Sequence, residues 1–362
     1  MNATQPQAGW RTRALALTAT LALAGGTAAV TATPAHAVGS LGRAYVWANS
    51  PSHALNTPYA PSAAYSRNST GGANSVVRTG TGLYTVRLAN LGRTGGTVHV
   101  TAYGATSNTC AVRDWNPVGN RLDVRVSCFT RTGLRVNTPF TASFVNTSGL
   151  GGSRFGYVWA NNPTSAAYTP STAYQFNSAG ALNAITRSGT GRYTVRLRSI
   201  GSAAGHVQVT AYGDTSARCK VGNWFVSGAD QLVNVRCHDR LGNLRDQRFT
   251  LTYARATGIQ RAVPAAYAWA NLPGSAAYNP AAAYSYNSSG VVNRIRRVSQ
   301  GVYRFHPPNQ QLSNGNVQVT AYGVDSKFCK VERWNPTEGV QVRCYTVAGA
   351  LTDTYYDVSF QR

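Results

Sequence analysis

The sequence predicts an all-β protein of three tandem antiparallel domains, sandwiches or small barrels, each carrying one disulfide of its own. Three observations lead there. A block of roughly 110 residues, the size of a complete small domain, occurs three times. Tyr45-Val46-Trp47-Ala48-Asn49 returns as Tyr157 to Asn161 and, with one change, as Tyr267 to Asn271; Val100-Thr101-Ala102-Tyr103-Gly104 returns as Val209 to Gly213 and Val319 to Gly323. Within a block, short runs such as Thr97 to Tyr103 alternate small or apolar with polar residues, the period-two pattern of a half-buried strand. The six cysteines fall two to a block.

Residues 1–37 read as a secretory signal. Arg11 and Arg13 precede an apolar run from Ala14 to Val30, and Ala35-His36-Ala37 supplies the small residues at −3 and −1, placing cleavage after Ala37. Thr and Gly interrupt the run, and no later segment approaches the ~18 apolar residues of a membrane span. The expected location is extracellular. The repeats then occupy 38–148, 149–258 and 259–362.

In the first repeat strands are expected at 43–49, 64–68, 75–79, 83–88, 97–103, 109–115, 122–129 and 139–145. Gly80-Thr81-Gly82 closes a hairpin, mirrored by Gly189-Thr190-Gly191, whereas the third repeat keeps only Gly301. No helix follows these glycines, so they carry no phosphate-loop reading.

The cysteines fix a register. Opposed residues in an antiparallel pair have position numbers with a constant sum, and Cys110 with Cys128 shares that sum with Val112 and Val126. The same holds for Cys219 and Cys237 with Val221 and Val235, and for Cys329 and Cys344 with Val331 and Val342. The third hairpin is three residues shorter yet keeps register, so the deletion belongs in its turn. Each bridge should therefore join adjacent strands and stabilise its repeat by roughly 3 kcal/mol. The connecting segments, Asn146 to Ser153 and Arg255 to Pro264, are too short to let the domains roam, and a rod of three beads is expected.

After residue 37 the chain carries 32 Lys and Arg (34 less Arg11 and Arg13) against 11 acids, a formal charge of +21 spread over all repeats. All but Lys220, Lys327 and Lys330 are arginines, which bind phosphate and carboxylate bidentately. Such a field favours anionic partners: cell-wall polymers, nucleic acid, acidic polysaccharide or lipid headgroups.

No enzyme is expected. Asp114 aligns with Asn223 and Arg333, and Asp246 and Asp353 align with Asn137, so no carboxylate pair recurs for acid–base work. Histidines 53, 99, 206, 238 and 306 occupy scattered positions, as solvated strand residues do, and offer neither a metal cluster nor a placed base. No catalytic residue, metal or cofactor is assigned. Arg78, Arg187 and Arg297 form the one cation set kept in all repeats, read as strand arginines paired across the sheet in preference to anion contacts.

Aromatics recur far better. Tyr45 and Trp47, Tyr157 and Trp159, and Tyr267 and Trp269 lie on one face of each first strand; Tyr103, Tyr212 and Tyr322 end a later one. If these rings face inward they are core, the reading preferred for Trp in so small a domain. If Ala44, Val46 and Ala48 face inward instead, the rings form a platform suited to sugars or bases. These nine residues are the candidate ligand site. The functional expectation is a tandem-repeat adhesive or carbohydrate-binding protein gaining avidity from three weak sites. Charge-driven binding of anionic polymers, or inhibition of an extracellular protease by a bridge-closed loop, are the alternatives. Burial of the rings would favour charge.

Overall fold

A computed structural model describes residues 42–147, 153–261 and 264–362. The leader reading falls on residues 1–37, outside this range. Every repeat is a sandwich of a four-stranded and a five-stranded antiparallel sheet. In the first repeat the strands are β1 (Gly42–Ala48), β2 (Pro58–Tyr59), β3 (Ser66–Asn68), β4 (Asn74–Gly80), β5 (Leu83–Leu88), β6 (Thr97–Ala102), β7 (Thr109–Val118), β8 (Arg121–Phe129) and β9 (Phe140–Asn146). One sheet runs β3-β1-β9-β6 and the other β7-β8-β5-β4-β2, the latter continuing through a parallel bridge between Val112 and Tyr212 into the four-stranded sheet of the second repeat, so that nine strands form one sheet. The two-residue β2 and a 3₁₀ turn at Ala63–Tyr65 lack the alternation that marked the other strands.

The inner faces follow the period-two rule. Val46, Val98, Val100 and Phe144 from one sheet meet Val76, Val86, Val124 and Val126 from the other. The disulfides are Cys110–Cys128, Cys219–Cys237 and Cys329–Cys344. Each joins directly opposed residues, and the expected valine pairs sit two positions away. In the third hairpin the pairing ends at Asn335 and Gly339, so the deletion does fall in the turn. Gly82, Gly191 and Gly301 have φ of 63°, 63° and 69°, and a Cβ on any of them would strike the carbonyl of the following repeat cysteine (Cys128, Cys237 or Cys344). That is why the third repeat retains this glycine and not its partner.

The rod expectation fails. The repeats close on one another in a ring with pseudo-threefold symmetry, within one compact unit. Three equivalent backbone hydrogen bonds close it: Gly213 N–H donates to Val112 O at 2.7 Å, Gly323 to Val221 O at 2.8 Å, and Gly104 to Val331 O at 3.0 Å. A second triplet runs from Gly96 to Ala173 O, Gly205 to Ala283 O and Gly315 to Ala64 O. Gly104, Gly213 and Gly323 have φ between 103° and 114°, a region closed to side chains, so the repeated Tyr-Gly pair is a junction motif. The physical cause of closure is the outer face of the four-stranded sheet, which is aromatic and needs cover. A linear array would have left the end repeats bare.

Candidate functional site

The nine candidate rings occupy these junctions. Ala44, Val46 and Ala48 do face the sandwich core, so the tyrosines and tryptophans of the first strand point away from it. The neighbouring repeat then covers them. Trp47, Tyr65 and Tyr103 surround Trp334 of the third repeat, with ring centroids 5.0–5.9 Å apart. Trp159, Tyr174 and Tyr212 enclose Trp115, and Trp269, Tyr284 and Tyr322 enclose Trp224, in the same edge-to-face packing. Tyr45, Tyr157 and Tyr267 are buried. Tyr157 stacks on Phe176, and Tyr267 stacks on His206 at 4.1 Å while its hydroxyl accepts the Ala256 N–H. The structure thus brings the nine together as three junctions, with no open aromatic platform among them.

The outward residues of β6 and its equivalents meet on the pseudo-threefold axis. His99, Gln208 and Gln318 are buried there with Thr101, Thr210 and Thr320. Thr101 donates to Gln318 Oε1 at 2.7 Å and Thr320 to Gln208 Oε1 at 2.8 Å, while His99 bridges Thr210 and Thr252. Below them Thr141 donates to Val317 O and Thr250 to Val98 O, both at 2.7 Å. The third equivalent is Asp357, fully buried, with neither carboxylate oxygen hydrogen-bonded; burial holds it protonated, well above the ordinary carboxylate range.

The histidine expectation is corrected here. His99, His206 and His238 are buried, and His53 and His306 half-buried. Burial lowers His99 and His206 to about 3, with His206 adding to the effect on His99. Burial, then Lys220, Arg218 and Arg236, lowers His238 to about 4. Sequence position placed His99 on an outward face correctly; what it lacked was the neighbour covering that face.

Arg187 and Arg297 bind Asp246 and Asp353 at 2.7 and 2.8 Å. Those carboxylates also accept the Gly191 and Gly301 N–H groups and the Tyr193 and Tyr303 hydroxyls. Arg187 chiefly holds Asp246 down at about 2; for Asp353, burial opposes ionisation but the Arg297, Gly301 and Tyr303 hydrogen bonds outweigh it, again to about 2. In the first repeat Asn137 takes over the Gly82 N–H, and Arg78 turns to the His53 carbonyl at 2.6 Å. This arginine set is structural.

What remains open is charge. Nine of the eleven acids are in ion pairs: Asp114, Asp123, Asp214, Asp230, Asp246, Asp325, Glu332, Glu338 and Asp353. Asp239 accepts backbone N–H groups in its own turn, and Asp357 is the neutral group on the axis. The excess of arginine therefore lacks internal counter-charge among the described residues, and part of it lies on the outer faces of the five-stranded sheets: Arg87 in the first repeat, Arg192 in the second, and Arg294 and Arg296 in the third. Among the described residues no helix is long and apolar enough to cross a membrane. None of the family models, curated proteins or solved structures compared with this chain matches it.

Proposed function

We propose that this is a secreted, non-catalytic protein that binds anionic extracellular polymers through the arginine-bearing outer faces of its ring. The observation that carries the reading is the consumption of carboxylates: nearly every acid is spent inside the protein, while the formal charge beyond residue 37 is +21. The recurrent rings lie between repeats, so the support they lent to sugar stacking is withdrawn and the electrostatic alternative becomes the stronger one. Three disulfides and the leader-like first 37 residues support an oxidising, exported setting. A rigid ring presents its three basic faces in fixed directions, which suits a repetitive polyanion by avidity.

Retention on immobilised polyphosphate, double-stranded DNA and a neutral glucan, measured across a salt series, tests this. Polyanion affinity should fall linearly with the logarithm of salt concentration, and the neutral glucan should not retain the protein. Salt-insensitive retention on the glucan, or no polyanion binding at low ionic strength, would refute it.

A further inference from the structure

We propose that the outer face of the second repeat holds a discrete site for an oxyanion group, a phosphate or carboxylate, gripped by Arg192 and Arg236. The inference deepens the polyanion reading and rests on a comparison of the three repeats at one equivalent place.

Each repeat has a β-bulge in the strand that carries its first cysteine, at Arg113, Gly222 and Glu332. Bulges aim the extra side chain at the neighbouring strand. In the third repeat Glu332 is aimed at Arg343 and neutralises it, with Arg343 Nε and Nη2 both donating to the carboxylate. In the first repeat the position equivalent to Arg343 is Ser127, and the carboxylate comes from the next repeat instead. Asp214 accepts the Ser127 hydroxyl at 3.0 Å and pairs with Arg135 at 2.5 Å. Two of the three faces are thus built around a carboxylate at the same point, supplied from two different sources.

The second repeat has lost both sources and kept the cation. Its bulge residue is Gly222, and Val324 stands where Asp214 stands in the preceding junction. Arg236 remains, and Arg192 lies directly opposite it across the strand pair. The equivalents of Arg192 are Leu83 and Val302, so this second arginine is peculiar to the second repeat. Like charges directly opposed across a sheet destabilise it unless something lies between them. Neither guanidinium makes an ion pair or a side-chain hydrogen bond among the described residues. Lys220, on the far side of Arg236, is already engaged by Asp325 at 2.7 Å.

The missing side chains leave space. A cavity of about 330 Å³, open to solvent, is lined by Arg192, Arg236, Thr194, Asn223, Asn234 and Gly222, and Val324 is also part of its lining. That volume is within the range of small-ligand sites. Thr194 donates to Asn234 and Asn234 to Asn223, which fixes the amides in a polar floor. Two planar forks, a fixed amide floor and a void where both sister repeats place carboxylate oxygens define what fits: a group with two or three oxygens and negative charge.

Two substitutions return the carboxylate from within. Gly222→Glu copies the third repeat; the backbone there is outside the left-handed region, and the nearest atoms to an added Cβ belong to Asn234, whose carbonyl oxygen, 3.2 Å away, must give by a few tenths of an ångström. Val324→Asp copies the first-repeat arrangement at a residue that is 67% exposed. Inorganic phosphate and acetate are titrated at constant ionic strength while the backbone amides of Gly222 and Asn234 are followed by NMR. The native protein should show saturable shifts, and each variant, like Arg236→Gln, should bind at least about tenfold more weakly. The preferred anion assigns the chemistry, and retention on polyphosphate against polyglutamate assigns the polymer that would carry it. Absence of a saturable response in the native protein, or unchanged binding in both carboxylate variants, overturns the site. The broader reading fails separately: the variants keep nearly all the positive field, so polymer retention should survive in them, and its absence from the native protein would leave the site standing alone.

Discussion

Asp357 offers the sharpest test of the ring. Its equivalents in the other two repeats, Thr141 and Thr250, each donate a hydroxyl to a carbonyl of the adjacent repeat at 2.7 Å. Ring order carries Asp357 to the corresponding carbonyl of Val207, where only its protonated form has a hydrogen to give. Asp357→Thr restores the donor and removes an acid that is 0% exposed. Because burial raises the folded-state pKa, the acid costs nothing below the unfolded pKa near 3.9. As pH rises above that, the unfolded chain ionises while the fold does not. Stability then falls by up to about 1.4 kcal/mol per pH unit until the folded-state pKa is reached. Relief of an unsatisfied buried polar group adds about 1–3 kcal/mol. In a large domain each kcal/mol of that difference shifts the melting temperature by about 2–4 °C. Denaturant titrations of both proteins from about pH 5 to pH 8 should show the variant more stable, with the gap widening as pH rises. Acids and histidines elsewhere are common to both and cancel in the difference. Equal pH slopes, or a variant that is less stable throughout, would show that the axis does not hold a neutral carboxyl.

Other outcomes follow from the same packing. His99→Gln, the residue of the sister repeats, should flatten the acid limb. His99 is held neutral to about 3 against an ordinary value near 6.5, so native stability is complete above that and is lost as pH falls between the two; an unchanged acid titration would count against its burial. Asp246→Asn should remove a further loss between about pH 4 and 2, since its folded pKa lies at about 2, read by acid unfolding with and without the substitution. Trp334→Ala should cost about 3–5 kcal/mol and open the one junction that no linker spans, increasing the radius of gyration by small-angle scattering more than Trp115→Ala at a linked junction does. Gly213→Ala should cost about 1–3 kcal/mol, because φ is 114° and its N–H closes a junction by donating to Val112 O, with faster exchange of the residue 213 amide as the check.

Much of the sandwich was legible because its causes are local. Alternation placed the strands of Asn74–Gly80 and Leu83–Leu88 within a residue of their observed ends, and the cysteine sums gave a pairing that survives a deletion. The ring was not, because it depends on what lies beyond a domain's own surface. Trp47 was weighed as core or as platform, and both choices assume a lone domain; the third answer, a surface that another repeat covers, needs a partner the pattern cannot name. His99 aligned with Gln208 and Gln318 looked like solvent-side drift, whereas their shared property is hydrogen bonding on an axis. The Arg187 and Asp246 sets were each visible, but their contact spans 59 residues and no periodicity records it. The Arg192 and Arg236 fork was legible only once register told which cations stand opposite each other.

Joining three copies in one chain has a consequence that three separate chains would not share. In a trimer of identical subunits any change on the axis arrives in triplicate: an acid at the Asp357 place would bring three carboxyls together, and a fork at the Arg192 place would appear on every side. Covalent fusion lifts that constraint. A single imidazole, a single carboxyl and a single pair of guanidiniums can each hold one of three otherwise matching places. The ring keeps the architecture of an oligomer while each of its parts is free to differ.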